Sequence, residues 1–373
     1  MRITALNILF IILLFSCKKD SDSSVSINNS STIKYAKGFE IIEKQGKKKL
    51  LIKSAYQNAN QTFEYHIESR DLKNRPKKDI IQVPIQKLVV TSTTHIPMVE
   101  LLNEEQAIVG FPHTQYISSE KTRALIAAGK ITEIGKENSL NTEILLDLYP
   151  ELVVGYSVSS ADKSLTAVQK AGIQVIYNGD WLEETPLGRA EWIQFFGLLF
   201  DKENQADSIF KVIEKNYTNA KNIALKVPKR PTVLSGAIMS KDIWNLPAGE
   251  SFVAQFLKDA NLDYLWNDTK GKGSLSLSFE SVFDRGVEAD FWIAPGYFTS
   301  KEELLKSNQL YAQFKAFQNN RIYTPVSKKG KSGGIIYYEL ASTRPDLVLM
   351  DMIKITNPEV LPNYTLTFFE KMK

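Results

Sequence analysis

The sequence predicts an α/β protein of two α/β lobes with central sheets, joined by a long inter-lobe α-helix. Short apolar runs alternate with helical patterns from residue 83 to residue 186, and the same alternation returns after residue 228. The segment between them, residues 186–227, has a helical pattern and contains no proline after Pro186. Two lobes of similar plan joined in this way leave a ligand cleft between them.

Composition places the chain among ordinary globular proteins. It has 373 residues, 43% hydrophobic and 24% charged, which is enough for one large or two medium domains. The formal net charge of +4 is small and evenly spread along the chain. We therefore expect no nucleic-acid partner.

The N-terminus has the pattern of an export signal. Arg2 precedes a short apolar run at residues 8–15, which is too short for a comfortable membrane span. The next residues complete the string LFSC, which resembles a bacterial lipobox and implies that Cys17 is lipidated and becomes the mature N-terminus. Cys17 is the only cysteine in the chain. An uncleaved anchor with an incidental cysteine is the alternative.

The rest of the chain divides into five segments by composition and pattern. A hairpin turn at Gln45-Gly46-Lys47 between apolar runs indicates β-structure near the start. After the signal peptide, residues 1–17, we predict a flexible tether at 18–33, an N-terminal β extension at 34–86, a first lobe at 87–185, an inter-lobe helical linker at 186–227 and a second lobe at 228–373.

The linker shows one apolar face at helical spacing. Its members are Trp192, Phe195, Phe196, Leu199, Ala206, Phe210, Ile213, Tyr217 and Ala220. A break near residues 201–204 predicts two helices, with Asp201 or Asn204 as the N-cap of the second. We interpret the segment as a strut between the lobes; two ordinary core helices of one large domain are the alternative.

The two lobes echo each other around a glutamate. Asn141 precedes Glu143, and Ser278 precedes Glu280, by two residues, so each glutamate falls in the first turn of a predicted helix behind a polar cap. In both lobes an acidic residue then comes just before an apolar strand. Taken alone, each glutamate is also a favourable charge at a helix N-terminus.

In this order and spacing, the chain resembles the helical-backbone (class III) substrate-binding lipoproteins of ABC importers, which bind ferric siderophores, haem and cobalamin. The likeness covers roughly residues 87–358. The Glu143 and Glu280 segments, the inter-lobe helix and the final run RPDLVLMD from Arg344 carry it. The resemblance implies two lobes with little hinge motion, a metal chelate in the inter-lobe cleft, and an ABC permease dimer as partner. It also implies that Glu143 and Glu280 dock into arginine pockets of that permease. The β extension departs from the better-known members.

The loops that follow the strands should line the ligand cleft. We predict ligand contacts from Phe111, His113, Tyr116 and Tyr156 in the first lobe, and from Trp244, Tyr297, Gly334, Tyr337 and Tyr338 in the second. Aromatic side chains suit a large flat chelate, although each one alone is more often a core residue. Lys328, Lys329 and Lys331 beside the glycine pair either meet ligand carboxylates or form a solvated basic loop. Arg189, at the start of the linker, is assigned a structural role.

No pattern in the sequence predicts catalysis or a metal site within the protein. His66, His95 and His113 have no metal-ligand spacing, and only His113 falls in a cleft loop, where an axial ligand and a plain hydrogen-bonding histidine both remain open. Nucleophile-elbow, Walker and dinucleotide-binding motifs are absent from the sequence. We therefore expect no cofactor. We expect a solute-binding protein, periplasmic or at the cell surface and anchored through Cys17. A capture lipoprotein without a permease, or an enzyme on an α/β scaffold, is the alternative.

Overall fold

The computed structural model describes residues 33–57, 59, 61–70, 79–136, 139–157, 162–240 and 242–373, and every count below refers to these residues. The predicted signal peptide, Cys17 and all of the tether except Ile33 lie outside the described residues. Within the described ranges, no helix combines the length and the apolar character needed to cross a bilayer.

The chain begins with a four-stranded extension sheet in the order β1-β2-β3-β4. Its strands are β1 (Phe39–Lys44), β2 (Lys47–Ile52), β3 (Phe63–Ser69) and β4 (Ile80–Val83). β1 to β3 are antiparallel and β4 is parallel to β3. The predicted hairpin is confirmed, with Gln45 and Gly46 at the turn and both at positive φ. Leu50 and Ile81 belong to the same hydrophobic core as the first-lobe strands, so the extension packs onto that lobe.

The first lobe is a five-stranded parallel sheet flanked by helices, in the strand order β11-β10-β5-β6-β7. Its elements are β5 (Leu88–Val90), α1 (His95–Leu101), β6 (Ile108–Phe111), α2 (Glu120–Ala127), β7 (Thr132–Glu133), β8 (Gly135–Lys136), β9 (Ser139–Leu140), α3 (Thr142–Leu148), β10 (Leu152–Gly155), α4 (Lys163–Lys170) and β11 (Val175–Tyr177). β8 and β9 form a separate small hairpin.

Three helices form the linker: α5 (Pro186–Ala190), α6 (Ile193–Leu199) and α7 (Glu203–Ala224). The predicted N-cap was wrong. Lys202 occupies the N-cap position of α7 without a side-chain cap, because Asp201 turns the chain in a left-handed conformation with φ of 55°. The predicted apolar face is buried along the linker. Phe210 of α7 belongs to the first hydrophobic core and Tyr217 to the second, so one helix spans both cores as a strut does.

The second lobe repeats the plan of the first. Its elements are β12 (Thr232–Ser235), β13 (Ala237–Ser240), β14 (Ile243–Pro247), α8 (Phe252–Asp259), β15 (Asp263–Tyr264), β16 (Ser274–Ser278), α9 (Phe279–Gly286), β17 (Phe291–Ile293), α10 (Lys301–Ser307), α11 (Lys315–Gln318), β18 (Ile322–Thr324), α12 (Ile336–Leu340), α13 (Pro345–Thr356) and β19 (Glu370–Lys371). The main sheet has the order β15-β12-β17-β18-β19 and is parallel except for β19. A second, antiparallel sheet, β13-β14-β16, was not predicted from the sequence.

The two lobes touch through α12 and the loop that precedes it. The carboxylate of Glu339 accepts hydrogen bonds from the backbone N–H groups of Ser118 and Ser119, at 2.6 and 2.8 Å. A Cβ atom on Gly334 would lie only 2.2 Å from the carbonyl oxygen of Tyr116, so this approach requires a glycine. The glycine therefore brings two backbones of the protein together, where the sequence suggested an approach to a ligand.

Candidate ligand-binding site

A cavity of about 540 Å³ opens at one edge of the second lobe's main sheet. Ser235, Ala294 and Pro325, which follow or end the parallel strands β12, β17 and β18, form part of its lining. The carboxyl ends of parallel strands are the usual place for a ligand in α/β proteins. The remaining wall comes from the linker helix α5, the small antiparallel sheet, α8 and the segment around α12.

The walls of the cavity are mainly apolar. Met239 of β13, Leu246 of β14, and Phe252 and Phe256 of α8 all line it. The N-terminus of α8 is fixed by Ser251, whose hydroxyl accepts a hydrogen bond from the backbone N–H of Ala254 at 3.2 Å. The wall is therefore built from regular elements, which hold an apolar surface in place for a ligand.

Three tyrosines lie at one side of the cavity. Tyr297 and Tyr338 are 63% and 43% exposed, and their ring centroids are 6.2 Å apart. Tyr337 packs on Phe368 and Phe369 beneath them. Burial raises the pKa of Tyr337 to about 12, and burial also raises the pKa of Tyr338. Both phenols therefore keep their protons near neutral pH and are able to donate hydrogen bonds.

Arg189 is the one charged side chain among the described residues that line the cavity. Its guanidinium carbon lies 4.4 Å from the ring centroid of Phe252. The nearest ion-pair partner is Asp180, whose Oδ2 is 3.9 Å from Nη2 of Arg189, beyond hydrogen-bond distance. The Nε atom of Arg189 is buried and has no hydrogen-bond partner among the described residues. The structural role assigned from the sequence therefore does not account for this side chain.

Ser342 adds a second polar group to the lining. Its hydroxyl oxygen is buried and has no hydrogen-bond partner within the described part of the chain, and the same holds for the hydroxyl of Thr343 beside it. Buried polar groups in folded proteins nearly always have a partner. Arg189 and Ser342 thus both line the cavity, and each has a polar atom that no described residue hydrogen-bonds.

The predicted second-lobe residues fall into two groups. Tyr297, Tyr337 and Tyr338 line the cavity, while Trp244 and Gly334 do not. Trp244 is fully buried, stacks on Trp292 at 5.3 Å, and donates its indole N–H to the carbonyl oxygen of Ser235. It is a core residue, because its strand, β14, turns that side chain toward the main sheet.

The predicted first-lobe residues lie apart from the cavity. Phe111 is buried in the first core. His113 and Tyr116 face each other with ring centroids 5.3 Å apart, and Tyr116 is 51% exposed. Tyr156 is half-buried, and its backbone N–H donates to the hydroxyl of Thr91. No described residue between 87 and 185 lines the cavity, so it belongs to the second lobe and the linker.

The lysines beside the glycine pair have partners within the protein. Lys328 donates to the carbonyl oxygens of Leu366 and Thr367, and Lys331 pairs with Glu120 at 3.0 Å. Neither these two nor Lys329 lines the cavity. The positive charge at the cavity comes from Arg189 instead.

The described part of the chain contains no group of three or more histidine, cysteine, aspartate or glutamate residues placed to hold a metal. His95 is fully buried, and neither ring nitrogen has a hydrogen-bond partner among the described residues. Burial lowers the pKa of His95 to about 4, although the nearby Asp180 acts in the opposite direction. His95 is therefore neutral at physiological pH.

Glu143 and Glu280 occupy matching positions on the surface. Each is the second residue of its helix, α3 or α9, and each is exposed. The side chains of Asn141 and Ser278 cap these helices, as the sequence predicted. Exposed apolar side chains lie nearby on both lobes: Leu146 follows Glu143 by three residues, and Ile243 pairs with Ser278 across the small sheet.

Sequence reasoning missed Phe252, Phe256 and Arg189 as cavity residues. Both phenylalanines lie on the apolar face of α8, a pattern that core residues share. An arginine close in sequence to Glu183, Glu184 and Glu191 was the signal available for Arg189. Its meaning depends on which tertiary partners surround it, and the sequence does not show them.

Comparison with known proteins gives four further findings. The model of a family described as periplasmic binding protein matches residues 88–328. An uncharacterized lipoprotein of Methanocaldococcus jannaschii is 26% identical over 300 residues, covering 78% of this chain and 70% of the relative. A periplasmic haem-binding protein from Pseudomonas aeruginosa superposes with a TM-score of 0.56 at 16% identity, covering 78% of this chain and 98% of that one. An ABC transporter substrate-binding protein from Listeria monocytogenes superposes with a TM-score of 0.51 at 19% identity, covering 73% of this chain and 98% of that one. At these identities the structural likeness shows the fold.

Proposed function

Since the chain belongs to the periplasmic binding protein family, we propose that it is the solute-binding lipoprotein of an ABC importer, which captures a metal chelate and delivers it to a permease. The family resemblance stated from order and spacing is confirmed, and the family consists of binding proteins rather than enzymes. The β extension lies outside the matched residues, in keeping with the departure noted from the sequence.

The cavity in the second lobe is the observation that carries this proposal. Its volume of about 540 Å³ falls in the usual range for small-molecule sites, and its lining is mainly apolar and aromatic. Such a surface suits a flat chelate, because aromatic rings offer stiff contact area at little entropic cost. The structural neighbour from Pseudomonas aeruginosa is a haem-binding protein, which supports haem as the first ligand to test. Ferric siderophores and cobalamin are the other candidates.

Titration of the full-length protein with haemin, cobalamin and ferric siderophores tests the ligand class. Two tryptophans report on the cavity, since the indole N–H groups of Trp244 and Trp292 donate to the carbonyl oxygens of Ser235 and Gly236, which line it. We expect saturable quenching of tryptophan fluorescence by one chelate, with a Kd on the order of 10⁻⁷ M. Absence of saturable quenching by every chelate would contradict the proposal.

Delivery to a permease rests on the two exposed glutamates. Carboxylates held on separate rigid lobes suit charge-assisted pairing with arginines of a two-fold partner. We expect the double reversal Glu143→Lys with Glu280→Lys to abolish uptake in cells and to leave ligand affinity unchanged. Glu302→Lys is the matched control, because Glu302 is also an exposed glutamate in a first helical turn. Uptake that survives the double reversal would favour a capture lipoprotein without a permease.

The lipid anchor is proposed from the lipobox-like string and is supported by the lipoprotein named among the relatives. We expect Cys17→Ser to move the protein from the membrane fraction to the soluble fraction, whereas Ser16→Ala leaves it membrane-bound. Retention of the Cys17→Ser protein on membranes after high-salt washing would contradict lipid anchoring.

A further inference from the structure

We propose that Arg189 and Ser342 form a carboxylate-binding pair, so that the cargo is a flat, mainly apolar molecule carrying at least one carboxylate. This inference rests on the proposed function and adds the ligand's chemistry to it. The sequence assigned Arg189 to a structural role, and the lysines considered for anion binding lie outside the cavity lining.

Arg189 is a largely buried cation without a hydrogen-bond acceptor among the described residues. The side chain of Arg189 is 13% exposed, and its guanidinium makes no hydrogen bond to another described residue; its Nε is buried without a partner. A guanidinium offers five N–H donors in a planar fork that matches a carboxylate. Leaving such donors unsatisfied in an apolar site costs free energy, and a bound anion would remove that cost.

Asp180 does not serve as the missing partner. Its Oδ2 lies 3.9 Å from Nη2 of Arg189 and is itself buried without a hydrogen bond among the described residues. The backbone N–H of Asp180 donates to the side-chain oxygen of Asn178 at 2.9 Å, which fixes the backbone of this residue. Asp180 therefore supplies a favourable field for the cation and leaves the donors of the fork free.

The guanidinium is held in one place before any ligand arrives. Its carbon lies 4.4 Å from the ring centroid of Phe252, close enough for a cation–π contact. The short helix α5 is capped by Thr185, whose hydroxyl accepts the backbone N–H of Gly188 at 3.0 Å, and it starts with Pro186. A rigidly presented donor loses little conformational entropy when it binds, which favours affinity.

Ser342 completes the pair from a separate element. It follows α12, lines the same cavity as Arg189, and is 8% exposed, with a hydroxyl that has no partner in the described structure. A hydroxyl that lines the same cavity as a guanidinium offers a bound carboxylate a further donor. A chelate without an acidic group would leave both donors unpaired, so the site discriminates against neutral cargo as well as favouring acids.

The test compares haemin, which carries two carboxylates, with its dimethyl ester, which has the same flat body without them. Binding is followed by tryptophan quenching in the full-length protein and in Arg189→Gln. Loss of one charge-assisted contact in a buried site should weaken haemin binding about 10- to 100-fold. Arg189→Lys should weaken haemin binding less than Arg189→Gln does, because lysine keeps the positive charge. Ser342→Ala should also weaken it less than Arg189→Gln does. The ester should bind wild type and Arg189→Gln alike.

Arg230→Gln is the matched control. Arg230 is an exposed arginine just before β12, at the opposite end of that strand from the cavity, and it contacts only the carbonyl oxygen of Leu262 at 3.4 Å among the described residues. We expect its haemin affinity to equal that of wild type. A parallel loss in Arg230→Gln would show that arginine removal acts through general charge, and it would overturn the assignment.

The outcomes separate this inference from the proposed function. Haemin or another carboxylate-bearing chelate that binds wild type and Arg189→Gln equally well would overturn the carboxylate pair and leave the binding protein intact. Tight binding of a neutral ferric trihydroxamate, unaffected by Arg189→Gln, would have the same meaning. Failure of wild type to bind any chelate would overturn the proposed function and the pair together.

Discussion

Two kinds of buried charge meet at the start of the linker. Glu183 and Glu191 are 5% and 2% exposed, and both are fully used by the protein. Arg189 lies between them in sequence, and its side chain has no hydrogen-bond acceptor among the described residues. The two carboxylates have hydrogen-bond donors around them and the cation has no acceptor in the described part of the chain. This difference distinguishes a structural charge from one that binds a ligand.

The carboxylates are occupied by the N-terminal strap, which we define as residues 34–38. Glu191 accepts the backbone N–H groups of Lys34, Tyr35 and Ala36 at 2.6 to 2.8 Å. Glu183 accepts the next two, from residues 37 and 38, and also the indole N–H of Trp192. Five consecutive backbone N–H groups thus donate to the side chains of Glu183 and Glu191.

The strap therefore ties the β extension to the junction of the lobes. Tyr35, the second residue of the strap, packs against both hydrophobic cores. Burial raises the pKa values of Glu183 and Glu191, and their hydrogen bonds oppose the rise. The strap thus stabilises the start of the linker, where the carboxylates of Glu183 and Glu191 have hydrogen-bond partners.

Removing a satisfied carboxylate should produce the largest effect. Glu191→Leu keeps the volume but leaves three part-buried N–H groups of the strap without acceptors. We expect a loss of about 3–5 kcal/mol in the free energy of unfolding, measured by urea titration. Glu214→Gln is the control, because Glu214 bonds the exposed ends of Lys34 and Tyr35 at the surface, where such contacts contribute about 1 kcal/mol or less. Equal losses in the two variants would contradict a structural role specific to Glu191.

Glu339 is a third buried carboxylate. It is less fully hydrogen-bonded than Glu191, because only two backbone N–H groups donate to it. Burial raises its pKa from the usual 4.5 to about 7, against the effect of its hydrogen bonds. Between these values the folded protein holds a proton that the unfolded chain releases, so stability falls as pH rises through the window and levels off above it.

The Glu339→Gln variant isolates this effect. We expect the wild-type minus variant difference in unfolding free energy to fall between pH 4.5 and about 7, with a slope of at most about 1.4 kcal/mol per pH unit. Urea titrations across that window measure the slope. A difference that stays constant or rises with pH would show that hydrogen bonds from Ser118 and Ser119 outweigh burial.

Much of the fold could be predicted because it depends on local pattern. The apolar face of α7 follows the helical period, and the caps Asn141 and Ser278 stand directly before their helices, so these features were identified correctly. β16 was missed because its sequence SLSLS, at residues 274–278, is short and serine-rich, and its pairing with β14 is a tertiary contact.

The site was less predictable than the fold for the same reason. Trp244 and Tyr297 are both aromatic residues near strand ends, and the sequence treats them alike. Trp244 is fully buried against Trp292, because the pairing of β14 with its neighbours decides which face its side chain takes, whereas Tyr297 lies in the loop after β17 and is 63% exposed at the cavity. The sequence assigned Arg189 a structural role because it does not show which residues surround that side chain in the fold.

The smallest expected effect concerns Asp180 and Arg189 themselves. A double-mutant cycle with Asp180→Asn and Arg189→Met measures their coupling free energy in unliganded protein. Because the two charges are 3.9 Å apart and share no hydrogen bond, we expect a coupling of about 1–2 kcal/mol, above the value for an exposed ion pair and below the loss expected for Glu191→Leu. Urea unfolding of the four proteins checks this value. A coupling as large as that of a closely bonded buried ion pair would make Arg189 a structural residue like Glu191, and the contrast at the start of the linker would disappear.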